Sequence, residues 1–408
     1  MREVFMKRHA VTIASVLLSA TVLSACGSGS TTTTTTLRAN QQSSRHHVPW
    51  SQLGARWSLA VWNANKAVNE WQSQKTSGNV AHPTRTLFLV TPTGGRYSIA
   101  DLTHTSATLV DWSPRSDRAL LENIPSCPAT GACPVLPQAI LTTMNMRTAK
   151  TTSTFVFPAS QTVFLQSLAF SKPRGQALLI DTQTNDHQQL TRYSLSGAVQ
   201  QVYPTNFSSV GKYAGSQLSS PDGKTLILGA EHGVALVSNA GDVRTQYVVG
   251  TTMTECSPTR WWNATTVLAS CIPATGLQQL FLISTTDGQV TMLTKPPRSP
   301  DNGDMNAWQL SSGVYLQTAG GCGAVYLSVL GPNHYTTPVT VPQVSDSSST
   351  FVLGATSHEL LLHATLSCGP GKSLVWFNPR TNKIRVVLGP PLNGGSVEEA
   401  LAYPTSPQ

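Results

Sequence analysis

Leu-Ser-Ser-Pro-Asp-Gly-Lys-Thr-Leu-Ile-Leu at residues 218–228 decides the fold, because a polar Pro-Asp-Gly turn lies between two apolar runs. Pro, Asp and Gly favour tight turns, and the aliphatic residues on either side favour strands. The stretch therefore predicts two neighbouring antiparallel strands.

A bulky residue precedes a comparable turn or apolar strand at nearly regular intervals along the chain. The positions are Trp112, Phe170, Leu218, Trp262, Trp308, Leu353 and Leu401. Their mean interval is about 48 residues, a period typical of propeller repeats. Hairpin turns such as Ser196-Gly197 and Asp287-Gly288 complete four short strands per repeat, and four such strands make one blade of a β-propeller.

The turn Ser220-Pro221-Asp222-Gly223-Lys224 resembles the repeat signature of TolB-type propellers, and the repeat as a whole is similar to WD-repeat-like propellers. Trp112-Ser113-Pro114 and Phe170-Ser171 resemble shorter copies of the same turn. The resemblance covers residues 85–404 and implies a fold. It does not imply the partners of TolB, because residues 50–84 are too few for the α/β domain that precedes the propeller in that family.

These repeats predict an all-β, seven-bladed β-propeller over residues 84–404. Six complete blades begin near residues 108, 166, 213, 254, 305 and 350. Both chain ends close the seventh: Thr86–Val90 and Arg96–Ala100 supply an outer hairpin, and Val397–Tyr403 supplies the inner strand. The second strand of that blade has no counterpart in the repeat pattern.

The N-terminal residues predict a secreted, lipid-anchored protein. Residues 1–25 have basic residues followed by a short apolar run, which is typical of a signal peptide. Leu23-Ser24-Ala25-Cys26-Gly27 resembles a bacterial lipobox, which implies Cys26 as the lipid anchor and the outer face of the cell membrane as the location. Residues 26–55 are rich in Thr, Ser and Gln and predict a flexible tether.

An amphipathic helix is predicted over residues 56–78. Apolar residues recur there at helical spacing, and no Pro or Gly interrupts residues 56–76. The recurring residues are Trp57, Val61, Ala64, Val68 and Trp71. Docking on the propeller is the role that the pattern favours over lying in a membrane interface.

Composition excludes several classes of protein. Charged residues make up 11% of the chain and hydrophobic residues 40%, so the chain can bury a large core and is not a highly charged disordered protein. The net charge of +8 is not gathered into a basic stripe with aromatic residues, which argues against a nucleic-acid partner.

Six cysteines remain beside Cys26, an even number that favours disulfides in an oxidising compartment. The candidates are Cys127, Cys133, Cys256, Cys271, Cys322 and Cys368. Cys127 and Cys133 bracket a short loop, Cys256 and Cys271 flank one hairpin, and the pairing stays open among them. No Cys-x-x-Cys pair is present, which disfavours zinc, and the sequence predicts neither a metal nor a cofactor.

Long connections on one end of the ring, such as 123–137 and 295–304, favour a binding surface on that end. Trp261, which points away from its neighbour Trp262 in a strand, is the candidate for an exposed aromatic contact. Asp301 and Asp304 flank a Gly turn and are candidate ligand contacts, although they lack the length of a calcium-binding loop.

Two functions follow from these patterns. The first is a non-catalytic, monomeric binding or scaffold module that takes an envelope protein, a glycan or a small ligand on its long-loop face. The second is an extracytoplasmic hydrolase or lyase acting on envelope polysaccharide or peptide. The absence of a Gly-x-Ser-x-Gly motif favours the first.

Overall fold

The computed structural model describes residues 41–64, 84–103, 105–123, 139–157, 164–184, 187–274, 276–296, 303–320, 323–345, 349–366 and 371–404. These residues form an all-β β-propeller. The 3₁₀ helices in these ranges are single turns at Arg45–His47, Trp50–Gln52 and Pro114–Ser116. In the same ranges, no helix reaches the length and apolar character that crossing a membrane requires.

The strands of the first half follow one another as short antiparallel meanders. They are β1 (Gln42–Ser44), β2 (Ser58–Asn63), β3 (Arg85–Val90), β4 (Arg96–Asp101), β5 (Thr108–Ser113), β6 (Arg118–Asn123), β7 (Ala139–Asn145), β8 (Lys150–Phe157), β9 (Phe164–Phe170), β10 (Ala177–Gln183), β11 (Gln188–Ser194), β12 (Val199–Val202), β13 (Asn206–Phe207), β14 (Gly211–Ser219), β15 (Thr225–Ala230), β16 (Gly233–Ser238) and β17 (Val243–Val248). Strands β5 to β8 form one four-stranded sheet, and strands β9 to β12 form the next.

The second half repeats the pattern and returns to the beginning. Its strands are β18 (Met253–Trp261), β19 (Thr266–Pro273), β20 (Gln279–Ser284), β21 (Val290–Met292), β22 (Gly303–Leu310), β23 (Gly313–Ala319), β24 (Val325–Leu330), β25 (Thr336–Pro338), β26 (Phe351–Ala355), β27 (Leu360–Thr365), β28 (Lys372–Asn378), β29 (Lys383–Leu388) and β30 (Ser396–Ala402). Strands β22 to β25 and β26 to β29 form two further four-stranded sheets.

The hydrogen bonding divides the described strands into six sheets, whereas the sequence predicted seven separate blades. Strands β13 to β21, expected to lie in two blades, belong to one nine-stranded sheet because Ala230 of β15 pairs with Cys256 of β18. Gly229 permits this approach: a Cβ at its position would lie 2.4 Å from the carbonyl oxygen of Cys256. Because Gly229 has no side chain, β15 and β18 can pair, and two meanders that the repeat pattern separates form one sheet.

Both chain ends meet in one five-stranded sheet, in the order β1-β4-β3-β2-β30. Strand β2 supplies the second strand that the repeat pattern did not locate, and it pairs antiparallel with β3 and with β30. Arg85 of β3 strengthens the closure, since its Nε lies 2.6 Å from Glu398 Oε2 of β30. Glu399 of β30 in turn accepts a hydrogen bond from the backbone N–H of Leu109 in β5.

The predicted amphipathic helix over 56–78 is wrong for residues 58–63, which are strand β2. Leu59, Ala60 and Val61 are fully buried because β2 has a strand on each side and a neighbouring sheet on each face. Apolar residues in a run buried on both faces satisfy a helical spacing by chance, so periodicity does not separate the two structures. Residues 65–78 of that prediction lie outside the described residues.

The predicted tether over 26–55 is also too long. Strand β1 pairs parallel with β4, Val48 is buried, and Trp50 and Leu53 pack against the same core. The composition of residues 41–47 is polar, but three apolar side chains in the eight residues that follow are enough to dock the segment. The first part of the tether, residues 26–40, and the signal peptide, residues 1–25, lie outside the described residues.

Apolar side chains fill the seams between neighbouring sheets. One cluster joins Leu120 and Leu141 of β6 and β7 to Phe170 and Leu178 of β9 and β10, and all four are buried. Full burial of each such side chain contributes about 1.5–3 kcal/mol. The first strands of neighbouring meanders contact one another, so they lie nearest the ring axis, and β30 takes this place in the closing sheet. We call these the inner strands: β5, β9, β14, β18, β22, β26 and β30.

Candidate functional site

A cavity of about 630 Å³ opens where the inner strands end, and we call it the central cavity. Every inner strand contributes to its wall, from its last residues or from the turn that follows. The lining residues are Ala55, Ser113, Pro114, Arg115, Lys172, Pro173, Leu218, Ser219, Pro221, Thr259, Arg260, Trp261, Trp262, Trp308, Gln309, Ala355, Thr356, Tyr403 and Pro404. A cavity of about 300–1,000 Å³ is typical of small-molecule sites.

This position differs from the predicted binding surface. The central cavity lies at the carboxyl ends of the inner strands, beside the short turns. Strands in a meander alternate in direction, so the long connections such as 204–212 leave from the opposite end of the ring. The long-loop face therefore does not carry the cavity, and much of that face, including residues 124–138, lies outside the described residues.

The Pro-Asp-Gly turn between β14 and β15 supports one wall of the cavity. Asp222 accepts hydrogen bonds from the Ser220 hydroxyl at 2.7 Å and from the Lys224 backbone N–H at 3.1 Å, which locks the turn. Gly223 has a φ of +72°, and a Cβ there would lie 2.0 Å from the carbonyl oxygen of Lys172. The glycine lets the turn press against the segment that carries Lys172 into the cavity wall.

Arg260 of β18 is the most enclosed cation of the cavity. Its Nη1 donates to the carbonyl oxygen of Ala307 in β22 at 3.3 Å, and its guanidinium lies 5.2 Å from the centre of the Trp308 ring. Burial lowers the pKa of Arg260 to about 10. The side chain is therefore charged at neutral pH, in a place where water screens that charge less than on an open surface.

Aromatic side chains form much of the remaining wall. Trp308 is buried, whereas Trp261, Trp262 and Tyr403 are half-buried and border the cavity. Trp261 was predicted to be exposed. It is instead partly covered, because its indole Nε1 donates to the carbonyl oxygen of Ser219 in the neighbouring inner strand at 2.9 Å. It lines the central cavity, and its contact with a ligand stays a prediction.

The described lining of the central cavity contains no Asp, Glu, His or Cys. Acids close to it are engaged elsewhere. Asp111 accepts 2.7 Å hydrogen bonds from the backbone N–H groups of Trp112 and Phe170. Glu359 pairs with Arg56 and lies 3.8 Å from Arg385 Nη2.

A smaller cavity of about 280 Å³ shares Thr259, Arg260, Trp308 and Tyr403 with the central cavity, together with Ala355 and Pro404. Its described lining also lacks Asp, Glu, His and Cys. Arg56 borders it, with its guanidinium 5.4 Å from the centre of the Trp376 ring. Arg260 thus borders both of these adjoining cavities.

Besides Arg260, titratable groups with strongly shifted pKa values lie in the interior of the sheets. Asp181 of β10 is fully buried, and burial raises its pKa to about 7. The hydroxyl of Tyr213 in β14 faces it, and burial together with the neighbouring carboxyl raises the pKa of that hydroxyl. The Nε2–H of His363 donates to the carbonyl oxygen of Val397 at 3.0 Å, and burial lowers the pKa of His363 to about 4. None of these groups lines either cavity.

Asp304, a predicted ligand contact, is fully buried. The Thr318 hydroxyl donates to its Oδ1 at 3.2 Å, and burial raises its pKa to about 6. The prediction is wrong because Asp304 is the second residue of strand β22 rather than part of an exposed turn. Asp301 lies outside the described residues. Among the residues that the structure describes, no three His, Cys, Asp or Glu side chains are grouped as metal ligands would be.

Cys256 and Cys271 form a disulfide between adjacent strands β18 and β19, in agreement with the hairpin that the sequence placed between them. Both residues are fully buried. The remaining candidates, Cys127, Cys133, Cys322 and Cys368, lie outside the described residues, as does Cys26.

Sequence reasoning missed the three cations of the cavity, Arg115, Lys172 and Arg260. A signal was present for two of them. Trp112-Ser113-Pro114-Arg115 and Phe170-Ser171-Lys172-Pro173 place a cation shortly after the bulky residue of the repeat, where an inner strand ends. Both cations fall in the turn after an inner strand, and these turns meet around the ring axis, so the recurrence indicated cations at the opening of the cavity. Arg260 precedes its bulky residue and had no such signal.

Comparison with known proteins supports the fold. No family model matches the chain, and no curated protein matches it. Among solved structures, the periplasmic gluconolactonase of Pseudomonas aeruginosa is 11% identical with a TM-score of 0.50, over 85% of this chain and 98% of that one. The β-propeller domain of Swd1 from Myceliophteria thermophila is 12% identical with a TM-score of 0.47, over 82% and 98%. A putative TolB from Agrobacterium tumefaciens is 11% identical with a TM-score of 0.37, over 59% and 91%.

Several peptidases match as well, and the chain spans about half of their length: 50%, 52% and 46% in three cases. At 11–13% identity these likenesses concern the fold alone. The chain is an all-β β-propeller with TolB-like and WD-repeat-like structural neighbours.

Proposed function

We propose that this chain is an extracytoplasmic lipoprotein, anchored to the cell membrane through Cys26, whose β-propeller acts as a monomeric binding module without chemical turnover. The ligand occupies the central cavity rather than the long-loop face. The lipobox and the signal-like segment before it support the anchor and the location.

The observation that carries the binding role is the composition of the cavity wall. Hydrolysis by a pair of carboxylates requires two acids about 5–9 Å apart across the scissile bond, and nucleophilic hydrolysis requires a base beside the nucleophile. The described walls of both cavities offer cations, aromatic rings and hydroxyl groups instead. Such walls bind and orient a ligand but supply no general acid or base with a pKa near neutrality.

A variant that fills the cavity tests this role. Ala355 is half-buried and borders both cavities, so Ala355→Trp places an indole into the space. The full chain and the variant are screened by thermal shift against small acids, sugars, oligosaccharides and peptides, and each hit is then assayed for product formation. Val243→Trp, on the exposed outer strand β17, is the control of equal size.

We expect hits that stabilise the wild type and the Val243→Trp variant but not the Ala355→Trp variant, with no product formed. Hits that survive in Ala355→Trp would overturn the placement in the cavity. Turnover of a polysaccharide or peptide would overturn the non-catalytic role and favour the hydrolase or lyase instead.

The anchor has its own experiment. Cys26→Ser removes the thiol that a lipid would modify, so the variant should leave the membrane fraction, whereas Ser28→Ala should stay there. Unchanged fractionation of Cys26→Ser would contradict the lipid anchor.

A further inference from the structure

Three cations border the central cavity at different depths. Arg260 is enclosed between two inner strands, Lys172 is half-buried, and Arg115 is exposed at the rim. Because the described lining contains no carboxylate, nothing in that wall neutralises them. In a partly enclosed space the attraction between an anion and these groups is stronger than on an open surface.

The guanidinium of Arg260 is held in place before any ligand arrives. One of its N–H groups donates to Ala307 and its face packs on Trp308, so the side chain is ordered from two sides. A guanidinium has five N–H donors, and its planar fork matches a carboxylate. An ordered, enclosed arginine loses little conformational entropy on binding, which favours affinity.

The half-buried rings of Trp261, Trp262 and Tyr403 give the cavity flat apolar surfaces beside this charge. Aromatic side chains pack well on the face or edge of another ring. The volume of about 630 Å³ admits a small molecule.

We propose that the central cavity binds a small molecule that carries a carboxylate on a six-membered ring, with the carboxylate on Arg260 and the ring against the tryptophans. This inference rests on the proposed binding function and names its ligand class. Lys172 and Arg115 attract the anion toward the mouth. Aromatic acids and sugar acids both carry a carboxylate on a six-membered ring.

Matched probes distinguish the contribution of the ligand's carboxylate to binding from the contribution of its ring. Tryptophan fluorescence of the full chain is titrated with benzoate and with glucuronate, with their neutral counterparts benzyl alcohol and glucose, and with acetate, which has the carboxylate but no ring. We expect benzoate, glucuronate or both to bind at least tenfold more tightly than the neutral counterpart and than acetate. Binding of benzoate alone assigns an aromatic acid, and binding of glucuronate alone assigns a sugar acid.

Substitutions of the three cations test whether they bind the carboxylate. Arg260→Gln should weaken the binding of the ring acid at least tenfold, and Lys172→Gln and Arg115→Gln should weaken it severalfold and reduce its dependence on salt. Arg244→Gln, on the exposed outer strand β17, removes the same charge outside the cavity and should change nothing. If Arg260→Gln does not fold, the Arg115→Gln and Lys172→Gln variants, at more exposed positions, still carry the test.

Equal binding of acids and neutral counterparts, equal binding of acetate, or wild-type affinity in all three cavity variants would overturn the proposal. These outcomes differ from failure of the proposed function. A neutral ligand that Ala355→Trp abolishes would keep the binding role and remove only the anionic ligand class.

Discussion

Two regions of the ring hold charge away from bulk water, and they do so differently. The central cavity holds Arg260 over Trp308 with one backbone hydrogen bond and open space beside it. The seam between β10 and β14, which we call the acid seam, holds Asp181 fully buried opposite Tyr213. In both regions burial disfavours the charged form.

The consequence differs because the two groups begin from different pKa values. Burial lowers the pKa of Arg260 to about 10, which leaves the side chain charged at neutral pH. Burial raises the pKa of Asp181 to about 7, so at pH 7 about half of the molecules carry a proton on this carboxyl. The cavity therefore keeps a permanent charge available to a ligand, whereas the acid seam keeps a carboxyl whose ionisation costs stability. A carboxyl with a pKa near neutrality would by itself have pointed to the acid seam as the functional site, whereas the geometry selects the cavity.

The largest expected effect comes from breaking the wall of the cavity. Trp308 is buried in a cluster with Leu310 and Leu327 and carries the guanidinium of Arg260. Trp308→Ala leaves a hole there and should lower the free energy of unfolding by about 3–5 kcal/mol. Denaturant unfolding followed by circular dichroism measures the change.

The control is Trp262→Ala, at a half-buried position on the same cavity. It removes less buried area and should cost about 1–2 kcal/mol. Equal losses in the two variants would mean that Trp308 is not the structural wall of the cavity and that both rings serve the same role.

The comparison also separates what sequence could predict from what it could not. The all-β propeller followed from local signals, because Pro-Asp-Gly turns and short apolar runs act over a few residues. Strand β2 was missed because a strand buried on both faces loses the alternation that identifies it. The joining of two meanders through Ala230 and Cys256 depends on a contact between distant residues that no repeat pattern encodes.

The candidate site was predicted in part. The alternation of strand side chains singled out Trp261 as an exposed aromatic contact; the residue lines the cavity but is half-buried, and its contact with a ligand stays a prediction. Asp304 was predicted to lie in an exposed Gly turn, but it is the second residue of strand β22. The sequence pattern does not show within two residues where the turn ends and the strand begins. Arg115 and Lys172 both lie in the turn that follows the first strand of their sheet, three and two residues after the bulky residue, and this pattern becomes meaningful once closure of the ring brings those turns together.

A smaller, pH-dependent change in the free energy of unfolding is expected when the ionisable carboxyl of Asp181 in the acid seam is replaced. Burial raises the pKa of Asp181 from its ordinary value of 3.8 to about 7, so the folded protein binds more protons than the unfolded chain between these values. Stability contributed by the neutral carboxyl is complete below pH 4 and is lost as pH rises through 7. Asp181→Asn should therefore raise the free energy of unfolding by about 1–3 kcal/mol at pH 8 and leave it nearly unchanged at pH 4.

An exposed acid gives the opposite sign and serves as the control. The Ser284 hydroxyl and the Gln289 backbone N–H lower the pKa of Asp287 in its hairpin turn. Asp287→Asn should therefore lose a little stability at pH 8 and less at pH 4. If Asp181→Asn showed the same direction as Asp287→Asn, the carboxyl of Asp181 would be ionised and stabilised in the folded protein, contrary to its sealed position.

The smallest expected effect lies at the rim of the cavity, where Trp261 ties β18 to β14. Trp261→Phe keeps an aromatic ring but removes the hydrogen bond from Nε1 to the Ser219 carbonyl oxygen, which should cost about 1 kcal/mol. Trp262→Phe shortens the neighbouring ring, whose indole nitrogen has no hydrogen bond among the described contacts, and should cost less. Urea unfolding at pH 7 measures both losses. A Trp262→Phe loss as large as that of Trp261→Phe would show that ring area, not the hydrogen bond between inner strands, stabilises the rim.

Because this hydrogen bond joins two inner strands, Trp261→Phe should also speed amide hydrogen exchange at Leu218 and Ser219 more than in the outer strand β17. That difference would place the effect of the substitution at the cavity rather than across the whole sheet.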